Sequence, residues 1–184
     1  RFCHGGECLD QILVDGLDAW LDKVDGDAVL VLHQLGNHGP AYYLRYPEEF
    51  RKFVPDCRSA DFDACTPETI RNAYDNALLY TDHILSEVID KLSAHAKTLD
   101  TAMIYMSDHG ESLGENGLYL HGAPYMFAPA EQTHIPFVLW TSPDLRQSTG
   151  IDKPCLASKA ASPHSHDNLF HSVLGLMQVK TAVY

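Results

Sequence analysis

Residues 101–110 read TAMIYMSDHG, an apolar run that stops at Ser107-Asp108-His109-Gly110. A short continuous apolar run closed by a polar glycine turn is the pattern of a buried strand. The segment before it is a helix by its own signals. Thr66 and Pro67 make an N-cap and first-turn pair, and the helix they start is expected to reach about residue 96. Its inward stripe is read as Ile70, Tyr74, Leu78, Thr81, Leu85, Val88 and Leu92. Further toward the amino end, Leu9, Ile12, Leu13, Leu17, Trp20 and Leu21 recur at helical spacing, predicting a helix over 9–24. Asp25-Gly26-Asp27 separates it from residues 28–32 (AVLVL), a second buried-strand candidate. Residues 135–140 give a third, and residues 167–177 close as a helix. Strands alternating with helices predict an α/β fold with a mostly parallel sheet, whose ligand site lies beyond the carboxyl ends of the strands.

The chain has 184 residues, with 13 basic against 25 acidic side chains and a formal net charge of −12. A basic surface for phosphate backbones is absent, so no nucleic-acid partner is expected. No apolar run approaches the roughly 20 residues of a membrane-spanning helix. Cys3 and Cys8 bracket a short polar loop, and Cys57 and Cys65 bracket another. Both intervals suit local disulfides and an oxidising compartment, and neither has the C-x2-C spacing of structural zinc. Reduced, unpaired cysteines are the alternative, and Cys155 has no evident mate.

Eleven histidines is a high count for this length. His38 follows the run at 28–32, inside Gly36-Asn37-His38-Gly39-Pro40, and His109 and Asp108 follow the run at 101–106. Adjacent residues of a regular strand point to opposite faces, so Asp108 and His109 share a metal only where the strand has ended. Gly110 supplies that break. From the dipeptide alone, Asp108 is read as a cap for the backbone after it. His121, in ESLGENGLYLHG (111–122), and Glu111 add to a candidate metal and phosphate site. Imidazole donors favour zinc over Mg²⁺ or Ca²⁺, which prefer oxygen ligands. The third strand ends in Trp140-Thr141-Ser142 without such residues, which places the site near the first two. His83 and His95 are expected on the helix surface, His4 is expected to be exposed, and His134, His164, His166 and His171 carry no motif.

LHQLGNHGP (32–40), Tyr46-Pro47 after Ala41-Tyr42-Tyr43, and YMSDHGESLGENGLYLHG (105–122) resemble the lipid A phosphoethanolamine transferases. That family includes the mobile colistin-resistance enzymes and belongs to the alkaline phosphatase superfamily. The likeness extends to Tyr74-Asp75-Asn76 and Asp167-Asn168-Leu169-Phe170. It implies an alkaline phosphatase-like α/β/α layered domain of which this chain is the carboxyl-terminal part, with a nucleophile segment and a membrane domain upstream. It also implies that Asp108 and His109 hold one tightly bound zinc. His38 and His121 would position the phosphoethanolamine phosphate, or join Glu111 at a second, weaker zinc. The implied reaction is covalent: a threonine takes phosphoethanolamine from phosphatidylethanolamine, and a lipid A phosphate collects it at the periplasmic face of the inner membrane. None of Thr66, Thr69, Thr81 and Thr101 lies in the small-residue turn expected of that nucleophile, so it is expected outside this chain. A sulfatase or phosphodiesterase of the same superfamily, or a non-catalytic fragment, are the other readings.

Overall fold

The structure, a computed structural model, describes residues 2–4 and 6–183. The expected exposure of His4 concerns a side chain outside that description. Cys3–His4 (β1) and Glu7–Cys8 (β2) pair antiparallel, and the Cys3–Cys8 disulfide closes them. The second disulfide joins Cys57 to Cys65, leaving Cys155 free and exposed. The single helix expected over 9–24 is instead two, Gln11–Val14 (α1) and Leu17–Leu21 (α2). Gly16 breaks them at φ 98°, a left-handed conformation that glycine adopts without steric penalty. The bend lets Val14, Leu17 and Leu21 all reach the core.

Pro67–Ala94 (α3) is the spine of the fold, 28 residues and about 42 Å long. Its start is a reciprocal cap: Thr66 Oγ1 accepts from Thr69 N–H at 3.3 Å, and Thr69 Oγ1 accepts from Thr66 N–H at 3.1 Å. The buried residues of α3 are Ile70, Ala73, Asn76, Ala77, Tyr80, Thr81, Ile84 and Val88. Ile70, Thr81 and Val88 of the expected stripe are among them, Leu85 and Leu92 pack partly buried against the core, and Leu78 is half exposed. Ala73 faces inward where the 3-10 turn Tyr42–Leu44 packs, and the Tyr42 ring takes the space a larger side chain would fill; Ala77 lies in the other cluster, with Tyr46. His83 and His95 are partly buried, and His95 closes the helix end, its Nδ1 lying 2.8 Å from Lys91 O.

After α3 come Ala102–Met106 (β3), Ser112–Leu113 (β4), Tyr119–Leu120 (β5), the short helix Ala130–Thr133 (α4) and Phe137–Thr141 (β6). Pro143–Thr149 (α5), Lys153–Lys159 (α6) and Asp167–Leu176 (α7) complete the chain. The α/β class holds, but the pairings within these residues are antiparallel, β3 with β6 and β4 with β5, where the sequence pattern predicts mostly parallel neighbours. Residues 28–32 form no strand, and Val29, Leu30 and Val31 are exposed. A continuous apolar run encodes a strand that is covered on both faces, yet no described residue pairs with this one. In the β3–β6 register Ala102 faces Thr141 and Met106 faces Phe137. The carboxyl end of β6 therefore lies away from the carboxyl end of β3, which explains why Trp140-Thr141-Ser142 carries no site residues. Instead Ser142 caps α5, its Oγ accepting from Leu145 N–H at 3.2 Å.

The loop between Tyr42 and α3 is held by buried polar groups as well as by Tyr46, Phe50 and Cys57 in the apolar clusters. Asn76, fully buried, accepts from Lys52 N–H at 2.7 Å and Phe53 N–H at 2.8 Å, and donates to Phe53 O at 2.9 Å. Asp56 accepts from Tyr46 Oη–H and Arg51 Nε–H, both at 2.7 Å. Burial pushes the Asp56 carboxyl upward, but these hydrogen bonds outweigh it and hold the group below the usual aspartate value. A carboxyl depressed on folding stabilises the chain above its unfolded pKa, and that stability is lost as pH falls through the folded value. Stability should therefore drop below about pH 4. Asp56→Asn should lose about 2–3 kcal/mol at neutral pH and flatten the acid limb, as read from urea midpoints across that range.

Candidate metal and phosphate site

The loop carrying His38 is tied down before any ligand enters. Asp10, at the start of α1 and buried, accepts Leu35 N–H at 2.9 Å and Gly36 N–H at 2.8 Å on its two oxygens. Asn37 Oδ1 accepts from Thr81 Oγ1–H at 2.7 Å, which fixes the same loop to α3. Arg45, also buried, donates from Nε to His38 O at 2.8 Å and from Nη1 to Glu7 at 2.7 Å. The disulfide-closed β1–β2 hairpin thus braces the residue that presents the first imidazole.

The second segment begins where β3 ends at Met106. Ser107 Oγ–H donates to His109 O at 2.6 Å, and Gly110 N–H donates to Gln132 O at 3.0 Å. Asp108 Oδ1 accepts His109 N–H at 3.0 Å, the capping role, and lies 3.8 Å from His109 Nε2. Its side chain is largely exposed, so the carboxylate is open on the solvent side. Gln132, 7% exposed, joins β4 to the segment beyond His121: its Nε2 donates to Ser112 Oγ at 2.9 Å and its Oε1 accepts Ala123 N–H at 3.3 Å. The β4–β5 pairing returns the chain so that His121 comes back beside His109.

His38, His109 and His121 converge, with one candidate ligand nitrogen from each within 4.8 Å of the others. Ring centroids are 3.9 Å apart for His109 and His121, 4.9 Å for His38 and His121, and 5.9 Å for His38 and His109. In each ring Nδ1 is occupied. His38 Nδ1 lies 2.7 Å from Gly39 O, His109 Nδ1 3.0 Å from Gly110 O, and His121 Nδ1 3.2 Å from Glu111 Oε1. A carbonyl oxygen only accepts, so Nδ1 of His38 and His109 carries a proton, which in a neutral ring leaves the Nε2 lone pair bare. A ring held by its other nitrogen is the arrangement metal-binding histidines require. Three such imidazoles beside an open carboxylate fit zinc better than an oxygen-seeking cation.

Glu111 stands apart from the trio. Its side chain is 5% exposed, and its oxygens accept Gly39 N–H at 3.0 Å and the Tyr42 hydroxyl as well as facing His121. Burial first, then the bond to Glu111, raises the Tyr42 hydroxyl well above the ordinary phenol range, so it remains a donor. Of the histidines without a motif, His166 reaches the site loop, with Nε2 3.0 Å from Ser107 O. Asp10, Tyr42, Arg45 and Gln132 build the site although sequence reasoning gives none of them a role in it. Tyr42 lies within the Ala41-Tyr42-Tyr43 motif, whereas Asp10 and Gln132 carry no local signal.

The family described as Sulfatase matches residues 1–179. The soluble domain of lipooligosaccharide phosphoethanolamine transferase A from Neisseria meningitidis is 53% identical and superposes with a TM-score of 0.91, over 96% of this chain and 53% of that one. Phosphoethanolamine transferase EptA of Escherichia coli is 47% identical over 183 residues, 99% of this chain and 34% of its own length. Phosphatidylethanolamine transferase Mcr-1, also from Escherichia coli, is 48% identical over 146 residues, 79% of this chain and 26% of its own. The chain therefore spans about a third or less of the length of these two curated relatives.

Among the described glycines, Gly110 is the one where an added side chain meets the closest backbone atom. A Cβ there would stand 2.0 Å from Glu131 O, a backbone atom that cannot rotate away. Gly110→Ala should destabilise the chain by about 1–3 kcal/mol in denaturant titrations, the usual range for overpacking. The same change should separate the His109 and His121 rings, read as lower zinc uptake.

Proposed function

Because the chain belongs to the sulfatase family, we propose that it is the zinc-dependent catalytic portion of a phosphoethanolamine transferase. The donor is phosphatidylethanolamine and the acceptor a lipid A phosphate. The observation that carries this reading is the trio of converging imidazoles, one ligand nitrogen of each within 4.8 Å of the others, with every Nδ1 engaged by a neighbouring oxygen. The identities to two phosphoethanolamine transferases and a phosphatidylethanolamine transferase support the transfer chemistry. Asp108 and His109 hold the tightly bound zinc. His38 and His121 hold the phosphate of the incoming phosphoethanolamine or a second, weaker zinc. His109 links the two, being 3.8 Å from Asp108 on one side and stacked on His121 on the other.

Zinc at this position would lower the pKa of the attacking hydroxyl and stabilise charge on the transferring phosphoryl group. The chain's own residues orient that group, through the bare nitrogens of His38 and His121. A threonine oxygen attacks phosphorus and diacylglycerol leaves. The lipid A phosphate oxygen then attacks the same phosphorus, and the threonine is regenerated. The threonine comes from outside this chain. Thr66 and Thr69 are engaged in the α3 cap, Thr81 donates to Asn37, and Thr101 donates to Leu92 O near the far end of β3. Such a protein works on the periplasmic face of the inner membrane, anchored by a separate domain; no described helix of this chain is long and apolar enough to cross a membrane. The two disulfides suit that oxidising compartment. The added amine masks a negative charge on lipid A and so confers resistance to cationic polymyxins such as colistin.

The 184-residue chain alone should bind zinc weakly and turn over no phosphatidylethanolamine analogue, and robust turnover would overturn the assignment of the nucleophile. With the nucleophile-bearing segment supplied, Asp108→Asn and His109→Ala should each abolish transfer to lipid A and reduce zinc content. Unchanged metal in both would remove them from the metal shell. Release of phosphoethanolamine to water with no lipid A product would favour a hydrolase of the same superfamily.

A further inference from the structure

We infer that Glu111 is a positioning residue that sets the tautomer and placement of His121, and not a metal ligand. The inference rests on the proposed phosphoryl-transfer site, but its evidence is the hydrogen-bond network alone. The Glu111 carboxylate, almost wholly buried, is reached by three donors from different parts of the chain: Gly39 N–H, Tyr42 Oη–H and His121 Nδ1. Oε1 receives two of them, at 3.0 and 3.2 Å, and Oε2 receives the phenol. An ionised carboxylate has about four lone-pair positions and donates nothing. Three are used by groups within the protein, and the carboxylate does not join the converging ligand nitrogens of His38, His109 and His121.

The three histidines differ in what holds them. His38 and His109 each turn Nδ1 to the carbonyl of the next residue, so their tautomers are set by the local backbone. His121 instead depends on a side chain ten positions earlier. Because Oε1 also takes Gly39 N–H, the same atom fixes the distance between the His38 loop and the His121 ring. An imidazole bonded to a carboxylate through Nδ1–H presents a bare, more basic Nε2 outward, as in carboxylate–histidine–metal arrangements. Removing the carboxylate frees His121 to put its proton on Nε2, which closes that nitrogen to a metal.

The test is imidazole ¹⁵N NMR on the full chain labelled at histidine, metal-free, at about pH 8 where unperturbed imidazole is neutral. His121→Asn identifies the resonances. In the unmodified chain and in Glu111→Gln, His121 should be the Nδ1–H tautomer, because the glutamine oxygen can accept the same two donors. In Glu111→Ala it should shift to predominantly Nε2–H. An Nε2–H tautomer in the unmodified chain, or an unchanged Nδ1–H tautomer in Glu111→Ala, would overturn the inference. Zinc titration gives the second readout. Glu111→Ala should weaken binding about 10–100-fold, the effect of losing an outer partner, and Glu111→Gln clearly less. Glu111→Gln losing as much zinc as His109→Ala would make Glu111 a ligand and refute the proposal. If Glu111→Ala does not fold, the unmodified chain and Glu111→Gln still decide the question. An Nδ1–H tautomer in a chain that takes up no zinc even with the nucleophile-bearing segment supplied would sink the transferase reading while upholding the role of Glu111.

Discussion

The buried carboxylate of Glu111 imposes the constraint on which the site depends. A carboxylate removed from water must be met by donors, and here they are a backbone amide, a phenol and an imidazole from segments that are distant in sequence. Satisfying it brings the His38 loop, the Tyr42 turn and the His121 segment to one point. The fold around it is the means of holding those three together. Tyr42 can reach in only because Ala73 offers no bulk on α3, and the turn that carries Tyr42 packs there with Ile70 and Cys57.

Two apolar clusters support this centre from either end of α3. One gathers Val14, Leu17, Leu21, Tyr80, Ile84 and Val88 with Met103 of β3, and so sets where β3 delivers Asp108 and His109. The other surrounds Tyr42 and includes Leu113 and Leu120 at its margin, next to the return toward His121. Between them the loops are held by buried polar groups, Asp10 and Arg45 on one side and Gln132 on the other. Such groups hold loops in one register because each leaves a costly unmet donor or acceptor if the loop shifts. The imidazoles are therefore oriented by the protein before a ligand arrives, which is what the proposed phosphoryl-transfer site, built on electrostatic stabilisation, would need.

Much of the fold is legible in the sequence because its signals are local. The Thr66-Pro67 start of α3 and the β3 and β6 runs lie within two or three residues of the expected bounds. Gly16 is equally visible, but a helical stripe that continues past it outweighs a single glycine, so the pattern hides the break. The inward face of α3 is read only in part, Ile70, Thr81 and Val88 being buried but Leu78 exposed and Ala73 and Ala77 inward, because periodicity ranks leucine above alanine. At Ala73, packing against a tyrosine turn reverses that order. Sheet direction is illegible for a deeper reason: an apolar run says that a strand is covered, not which edge meets which, and β3 and β6 run opposite ways.

Sequence alone determined the chemistry available: the histidines of two glycine-punctuated motifs, the acids beside them, and cysteine pairs close enough to close locally. Those are properties of residue type and short spacing, and they survive without coordinates. Only the tertiary structure decided their arrangement. It brought together His38, His109 and His121, showed Nδ1 of each ring engaged, and left Asp108 open while Glu111 was enclosed. A glutamate that ligates and one that orients a ligand have the same letter and the same neighbours in the chain. What separates them is which donors the fold brings to each oxygen, and those come from residues 39, 42 and 121.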